Sequence, residues 1–445
     1  MIFLSFLLLL SPVWSQSSDL RIDFPVERFE LKNGLQVLLA PNSSVPLVSY
    51  QTWYRVGSRD EVPGSTGAAH MLEHMMFKGA KKYSGKQFWQ LIQNNGISTN
   101  AFTSHDYTGF FLNAPSDKLE LVMDLELDRM RFLELNPQEL TSELQVVAEE
   151  RRMRVDNSPV SLLLETLMGR VYQSHPYRWP VIGWMQDIQS YTVEKLRPFY
   201  DQFYVPNNAV LVLSGDFNPR EIRQKIESRY GVLKFQPLPE RKYSQEPDRP
   251  AGRDEILQRQ VQSETFILMA KTTGITTPEA MRLQVLSSIL SNASSSRLYR
   301  RLVYREKQAS FVTTFLMNQQ DPAAFVVGVG LLPGLTHYRS RQLVLSEIQA
   351  LRPQTLSEPE LERAKNMLMT RSLEPLRSFE GRARSLAFYE IVYGDYRRLF
   401  QELELLRKIR VFDIKEVAQK YLSPERLQFG LLKPVEGSTK QEKRL

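Results

Sequence analysis

The chain has 445 residues, of which 42% are hydrophobic and 24% are charged. This composition is typical of a soluble globular protein and excludes a disordered or fibrous one, and the length predicts about two to four domains, of which we take two as the working number. The net charge of +7 comes from basic and acidic residues interspersed along most of the chain, so it does not indicate a nucleic-acid-binding protein. The chain contains no cysteine, which excludes disulfides and a lipoprotein anchor.

The N-terminal residues 1–15 are predicted to be a signal peptide. Their apolar run is too short to span a bilayer, and Val13 and Ser15 stand at the small-residue positions of a cleavage site before Gln16. No lysine or arginine precedes the run, so the alternative is a buried N-terminal helix. We expect a periplasmic or secreted protein without a stable membrane anchor, and the lack of disulfides favours the periplasm.

A predicted hairpin and a further strand at 29–54 lead into a helix over 67–77. His70, Glu73 and His74 share one face of this helix, because their spacing is i, i+3 and i+4. Two imidazoles one turn apart can bind a tetrahedral zinc ion, and a carboxylate between them can act on a water molecule beside the metal. The alternative is a set of polar residues without a ligand, but the chain has only five histidines and two of them are here.

The next predicted elements are a helix at 84–95 and two strands, at 98–103 and 107–112. If the first strand lies at a sheet edge, its free N–H and C=O groups could bind an extended peptide by strand addition. An ordinary hairpin without a ligand is the alternative. Two other histidines, His105 and His175, are predicted to be turn or packing residues and not metal ligands.

Two long helices are predicted at 118–133 and 137–155. On the second, Glu143 and Glu150 lie two turns apart on one face. Carboxylates on a helix are usually solvated surface charges, so the spacing alone leaves open whether either of them binds a metal.

The proline-rich and polar stretch at 236–253 is typical of a linker between domains. It follows a predicted helix, strand and helix, which end near residue 230. We therefore predict one domain at 16–235, which carries the candidate metal ligands, and a second domain at 254–445.

Parts of the first domain recur in the second. The segment 192–213 resembles 413–432, and 137–140 resembles 358–361. A predicted helix at 280–291 takes the place of the histidine-bearing helix but contains no histidine or glutamate. The predicted fold class is α+β, with two similar α/β-rolls, each an antiparallel-rich sheet packed by helices, related by internal duplication. Only the first is expected to hold a metal.

Four segments resemble the N-terminal half of the inverzincin peptidases, family M16, of the pitrilysin and mitochondrial processing peptidase superfamily: 67–79, 100–103, 146–159 and 175–217. The resemblance extends over nearly all of the chain after the predicted signal peptide. In that family the third metal ligand is the second glutamate of a Val-Val-x-Glu-Glu-like segment, which implies Glu150 as a ligand beside His70 and His74. Glu143 matches a carboxylate that orients a ligand imidazole.

The resemblance has further implications for the site. It implies one Zn²⁺ per chain and Glu73 as the catalytic general base. It also implies a substrate-binding edge strand formed by Asn100, Ala101, Phe102 and Thr103. The first domain would then be a metal-binding peptidase domain, and the second a peptidase-like domain without metal ligands.

The second domain departs from the pattern of single-chain family members. Those members carry an arginine and a tyrosine shortly after a Ser-Arg-Leu segment, which is Ser296-Arg297-Leu298 here. The expected positions are occupied by Val303 or Tyr304 and by Ser310 or Phe311. Two-subunit members divide the metal and this pair between chains. The resemblance therefore implies a metal-binding subunit with a homologous partner in a heterodimer, or a homodimer.

The resulting hypothesis is a zinc-dependent endopeptidase that hydrolyses peptides or unfolded protein segments, with a partner subunit that supplies the arginine and tyrosine. Glu73 would take a proton from the attacking water. The alternative is a non-catalytic structural or peptide-binding subunit with the same fold.

Overall fold

The computed structural model describes residues 23–241, 243, 246–247, 252–351 and 356–435. The segment 1–15, predicted to be a signal peptide, lies outside the described residues, as does part of the predicted linker at 236–253. Within the described ranges, no helix combines the length and the apolar character needed to cross a membrane.

The described residues of the first half form a six-stranded sheet with eight α-helices. Its elements are β1 Glu27–Glu30, β2 Gln36–Pro41, β3 Leu47–Tyr54, α1 Ala68–Met75, α2 Gly85–Asn94, β4 Ser98–Thr103, β5 Thr108–Pro115, α3 Leu119–Phe132, α4 Pro137–Arg151, α5 Pro159–Val171, α6 Met185–Gln189, α7 Val193–Phe203, β6 Ala209–Gly215 and α8 Pro219–Tyr230. A π-helical turn at Arg152–Asp156 follows α4 directly.

In the second half, the part of the chain that the structure describes forms a five-stranded sheet with six α-helices. Its elements are β7 Glu255–Arg259, β8 Thr265–Lys271, α9 Pro278–Leu290, β9 Ala309–Leu316, β10 Ala324–Leu331, α10 His337–Ala350, α11 Glu358–Leu373, α12 Phe379–Tyr393, α13 Arg398–Arg407, α14 Val411–Tyr421 and β11 Gln428–Pro434. A second π-helical turn, Tyr299–Arg305, precedes β9.

The two sheets share one topology. The strand order is β1-β2-β6-β3-β5-β4 in the first and β7-β11-β8-β10-β9 in the second. In the first sheet only the β2–β6 pair is parallel, and in the second only the β7–β11 pair is parallel. The strands therefore correspond one to one, apart from the extra β1. The predicted fold of two similar, antiparallel-rich sheets packed by helices is confirmed.

Each half gives one helix to the sheet of the other half. Helix α12, from the second half, packs on β3 and β6 of the first sheet, where Leu386 joins a buried cluster with Leu38 and Val210. Helix α5, from the first half, packs on β8 and β11 of the second sheet. Gly430 of β11 permits this approach, because an added Cβ would come within 2.8 Å of a Leu167 methyl carbon. Neither sheet is covered by the helices of its own half alone.

This exchange predicts that damage to α12 destabilises both halves together. Leu386→Ala should lower the free energy of unfolding by about 2–5 kcal/mol, because it leaves a cavity between α12 and the first sheet. In urea denaturation, Trp fluorescence and far-UV circular dichroism should shift to the same lower midpoint. The control is Phe412→Ala, since Phe412 is 67% exposed. Separate transitions in the two signals would contradict the interdependence of the halves.

Candidate metal centre

Helix α1 carries three of the predicted site residues. Met71, Leu72 and Met75 are fully buried and fix one side of the helix in the core of the first half. His70, Glu73 and His74 project from the other side and line one cleft. The helix thus presents its polar groups toward an open space, as the i, i+3, i+4 spacing predicts.

Helix α4 brings the predicted carboxylates to this face. Asn136 caps its first turn by accepting hydrogen bonds from Gln138 N and Glu139 N, and Pro137 occupies the first helical position. Helix α4 packs against α1. This contact places Glu143 and Glu150 beside the two histidines.

His70, His74 and Glu150 converge on one point. The Nε2 atoms of His70 and His74 lie 3.7 Å and 3.4 Å from Glu150 Oε2, and the three ligand atoms are all within 4.8 Å of one another. Among the residues that the structure describes, no other group of three or more His, Cys, Asp or Glu residues converges in this way. Two imidazoles and one carboxylate are a ligand set of catalytic zinc sites.

The hydrogen bonds around these side chains fit a metal site. Glu143 Oε1 lies 2.8 Å from His74 Nδ1, which orients the imidazole and leaves its Nε2 atom for a metal. Lys78 pairs with the other oxygen of Glu143. Arg154 lies 2.9 Å from Glu150 Oε1, so that Oε2 remains on the side of the histidines. The residues present therefore fit a bound zinc ion.

The surroundings of the two imidazoles shift their pKa values in opposite directions. Burial, together with the neighbouring His74, lowers the pKa of His70 to about 4. Burial also acts to lower the pKa of His74, but the hydrogen bonds with Glu143 and Glu150 outweigh it and raise that pKa to about 9. The hydrogen bond with His74 lowers the pKa of Glu150. A metal ion and a proton would therefore compete for this imidazole.

Glu73 lies beside these ligands and contacts the predicted substrate-binding strand. Thr103 Oγ1 donates a 2.5 Å hydrogen bond to Glu73 Oε2. Burial raises the pKa of Glu73, and the Thr103 hydrogen bond opposes this rise. A carboxylate with a raised pKa is a better proton acceptor at neutral pH than an exposed one.

Strand β4 forms the edge of the first sheet and one wall of a cleft of about 1010 Å³. All four predicted strand residues, Asn100, Ala101, Phe102 and Thr103, line this cleft. Successive side chains of a strand point to opposite faces. Ala101 packs toward the core beneath α1, whereas the ring of Phe102 packs edge-on against Trp53 at 4.8 Å. Ala101 and Phe102 therefore lie on opposite faces of β4.

The remaining walls of the cleft are mainly apolar, and the described residues that form them all belong to the first half. The lining residues outside the metal group and β4 are Gln145, Val146, Glu149, Met153, Arg154, Val155, Val181 and Ile182, with Glu73. Val146 and Met153 are 48% and 67% exposed. Apolar side chains that remain this exposed beside a polar centre are typical of a binding surface.

The described part of the second half does not repeat this centre. Helix α9 occupies the position that α1 has in the first half, and it carries neither histidine nor a glutamate beyond its first turn. Val303 and Tyr304 lie in the second π-helical turn, and Ser310 and Phe311 lie on the edge strand β9. None of these four residues lines the cleft.

His105 and His175 lie outside the metal group. His105 Nδ1 lies 2.8 Å from Ser58 Oγ. His175 is buried, and its Nε2 lies 3.1 Å from Asp321 Oδ2 in the second half. Sequence reasoning did not find that Thr103 contacts Glu73, or that Lys78 pairs with Glu143 and Arg154 with Glu150. Only the Arg154 contact has a signal in the sequence, because Arg154 lies four residues after Glu150 along the helical turns.

Two family models match the chain. Residues 36–183 match the model described as "Insulinase (Peptidase family M16)". Residues 190–368 match the model described as "Peptidase M16 inactive domain".

Curated proteins and solved structures agree with these matches. The zinc protease PqqE of Helicobacter pylori is 30% identical over 415 residues, which cover 92% of this chain and 93% of that protein. An uncharacterized zinc protease of Streptomyces coelicolor is 25% identical, with coverage of 93% and 91%. The crystal structure of a protease from Helicobacter pylori superposes with a TM-score of 0.87 at 30% identity, and covers 92% of this chain and all of that one.

The geometry predicts that loss of one imidazole abolishes tight metal binding. His70→Ala should reduce the zinc retained after dialysis from one ion per chain to a small fraction, because only two ligands remain. The zinc content is measured by atomic absorption against protein concentration. The control is His337→Ala, which removes a histidine paired with Glu264 in the second half. An unchanged zinc content in His70→Ala would contradict the assignment.

Proposed function

Because this chain belongs to the insulinase family of peptidases, M16, we propose that it is a zinc-dependent endopeptidase that hydrolyses peptides or unfolded protein segments. The observation that carries the proposal is the convergence of His70, His74 and Glu150 beside Glu73. These residues line a cleft, and one wall of this cleft is the edge strand of the first sheet. A metal group alone would be compatible with many hydrolases. The adjacent strand edge favours an extended polypeptide as the substrate.

The proposed mechanism assigns each side chain a task. His70, His74 and Glu150 would hold the zinc ion, and Glu143 orients the His74 ring through its Nδ1 atom. Zinc, when bound, supplies a Lewis acid that polarises a carbonyl oxygen and lowers the pKa of water. Glu73 takes the proton of the attacking water and returns it to the leaving amine. Thr103 holds Oε2 of Glu73, so we assign the proton transfer to Oε1.

The proposed substrate binds as an additional strand on β4. The N–H and C=O groups on the outer side of β4 pair with the peptide main chain, which makes recognition independent of most side chains. The hydrogen bond between Thr103 and Glu73 connects this strand to the catalytic carboxylate. A peptide held on β4 is therefore held in register with the general base. Val146, Met153 and Ile182 offer apolar contacts to its side chains.

Replacement of Glu73 by Gln separates catalysis from metal binding. The variant should retain zinc but lose about 10²–10⁴-fold in kcat, because the amide cannot accept the proton. A quenched fluorescent peptide measures cleavage. The matched control is Glu149→Gln, since Glu149 also lines the cleft but is 71% exposed and paired with Arg152. Undiminished hydrolysis by Glu73→Gln would disprove the mechanism, and absence of chelator-sensitive cleavage by the native chain would favour the non-catalytic alternative.

We further propose that a second subunit completes the site. Among the residues that the structure describes, those that line the cleft all lie between His70 and Ile182, and the second half contributes neither an arginine nor a tyrosine to it. A homologous chain in a heterodimer, or a second copy of this chain, would supply these groups to stabilise the charge that develops on the carbonyl oxygen.

The isolated chain should therefore show low activity that rises when the partner is added or when it self-associates. Light scattering coupled to gel filtration gives the mass, and peptide cleavage across a dilution series gives the activity of each species. Full activity in a monomeric fraction would contradict this part of the proposal. We also propose export to the periplasm or the medium, which N-terminal sequencing tests: the mature chain should begin at Gln16.

A further inference from the structure

Two glycines touch where the candidate metal centre is anchored to the fold. Gly67 immediately precedes α1 and Gly183 precedes α6; both have left-handed backbones, with φ of +88° and +86°. A Cβ on Gly67 would lie 2.5 Å from Ile182 O, and one on Gly183 would lie 2.3 Å from Thr66 O. The two backbones are therefore in direct contact, and any side chain at either position would push them apart.

Arg151 ties this contact to the helix that carries Glu150. It is the residue after Glu150, it is 5% exposed, and its Nη1 donates a 2.9 Å hydrogen bond to Gly183 O. The same guanidinium donates to both carboxylate oxygens of Glu165, at 3.0 Å and 2.9 Å. This bidentate pair fixes the plane of the guanidinium and thereby the direction of its bond to Gly183.

Glu61 ties the other side of the contact to α1. Its buried carboxylate accepts hydrogen bonds from Gly67 N at 2.8 Å and from Ala69 N at 3.0 Å. These N–H groups have no acceptor within the helix, and a carboxylate at a helix N-terminus also interacts favourably with the helix dipole. Glu61 therefore holds the first turn of α1 immediately before His70.

We propose that Arg151 is a positioning residue which, through Gly183, Gly67 and Glu61, fixes the separation between the helix that carries His70 and His74 and the helix that carries Glu150. No residue of this connection lies within the ligand group itself. Its effect is to keep Glu150 Oε2 at a distance from the two Nε2 atoms that one metal ion can span. The inference rests on the proposed zinc site.

Metal affinity tests the inference. Zn²⁺ affinity is measured by competition with a chromophoric chelator on the full chain, for the native protein, Arg151→Met and Arg297→Met. Arg297 is the matched control, because it makes an equivalent bidentate pair with Glu360 in the second half, at 2.6 Å and 2.7 Å. Both variants should lower the melting temperature. Only Arg151→Met should weaken zinc binding, by about 10-fold or more, as loss of groups that orient metal ligands does.

The visible spectrum of the Co²⁺-substituted protein gives a second readout, because it reports coordination geometry. It should change in Arg151→Met and not in Arg297→Met. If Arg151→Met does not fold, Glu61→Gln, which loses one of the two acceptors at α1, is judged by the same criterion. Equal zinc affinity and an unchanged Co²⁺ spectrum in the variant would overturn the inference while leaving the zinc site intact. Failure of the native chain to bind zinc would overturn the zinc site as well.

Discussion

The packing of α1 against α4 is the contact on which the candidate site depends. Helix α1 alone offers two imidazoles, and α4 alone offers a row of carboxylates; neither is a metal site. Their contact places Glu150 Oε2 within 3.7 Å of both Nε2 atoms and Glu143 within hydrogen-bond distance of His74. Because α1 also contacts β4, the same platform joins the metal ligands, the general base and the substrate-binding edge. Rigid helices on a sheet hold such groups more accurately than loops would.

This arrangement brings together several charged groups, each of which would be costly to desolvate if it were buried without a partner. Glu73 and Glu150 share one cleft, and His74 lies between Glu143 and Glu150. Lys78 and Arg154 offset part of the negative charge from the rim. Partly buried ion pairs of this kind contribute little net stability, because desolvation cancels much of their attraction. Their value lies in the orientation they impose on the ligand atoms.

The sequence alone predicted the features that depend on interactions between residues close together in the chain. Ser84 caps α2 with a capping box to Gln87, and Asn136 with Pro137 starts α4 where predicted. The face shared by His70, Glu73 and His74 followed from helical geometry. The choice of Glu150 among the glutamates of α4 did not, because only the tertiary contact distinguishes them; family resemblance supplied it. The helix was predicted to end at residue 155, whereas α4 ends at Arg151 and continues as the π-helical turn Arg152–Asp156. Hydrophobic spacing does not distinguish an α-helix from such a turn.

The helix exchange could not be predicted from the sequence, because amphipathic spacing shows that a face is buried but not which element buries it.

The helix exchange also has a consequence for how the chain acquires its structure. Synthesis proceeds from the N-terminus, yet one face of the first sheet stays uncovered until α12, more than 160 residues after β6, is available. Contacts at such sequence separation close slowly. The packing of the first sheet therefore cannot be completed until nearly the whole chain has been made.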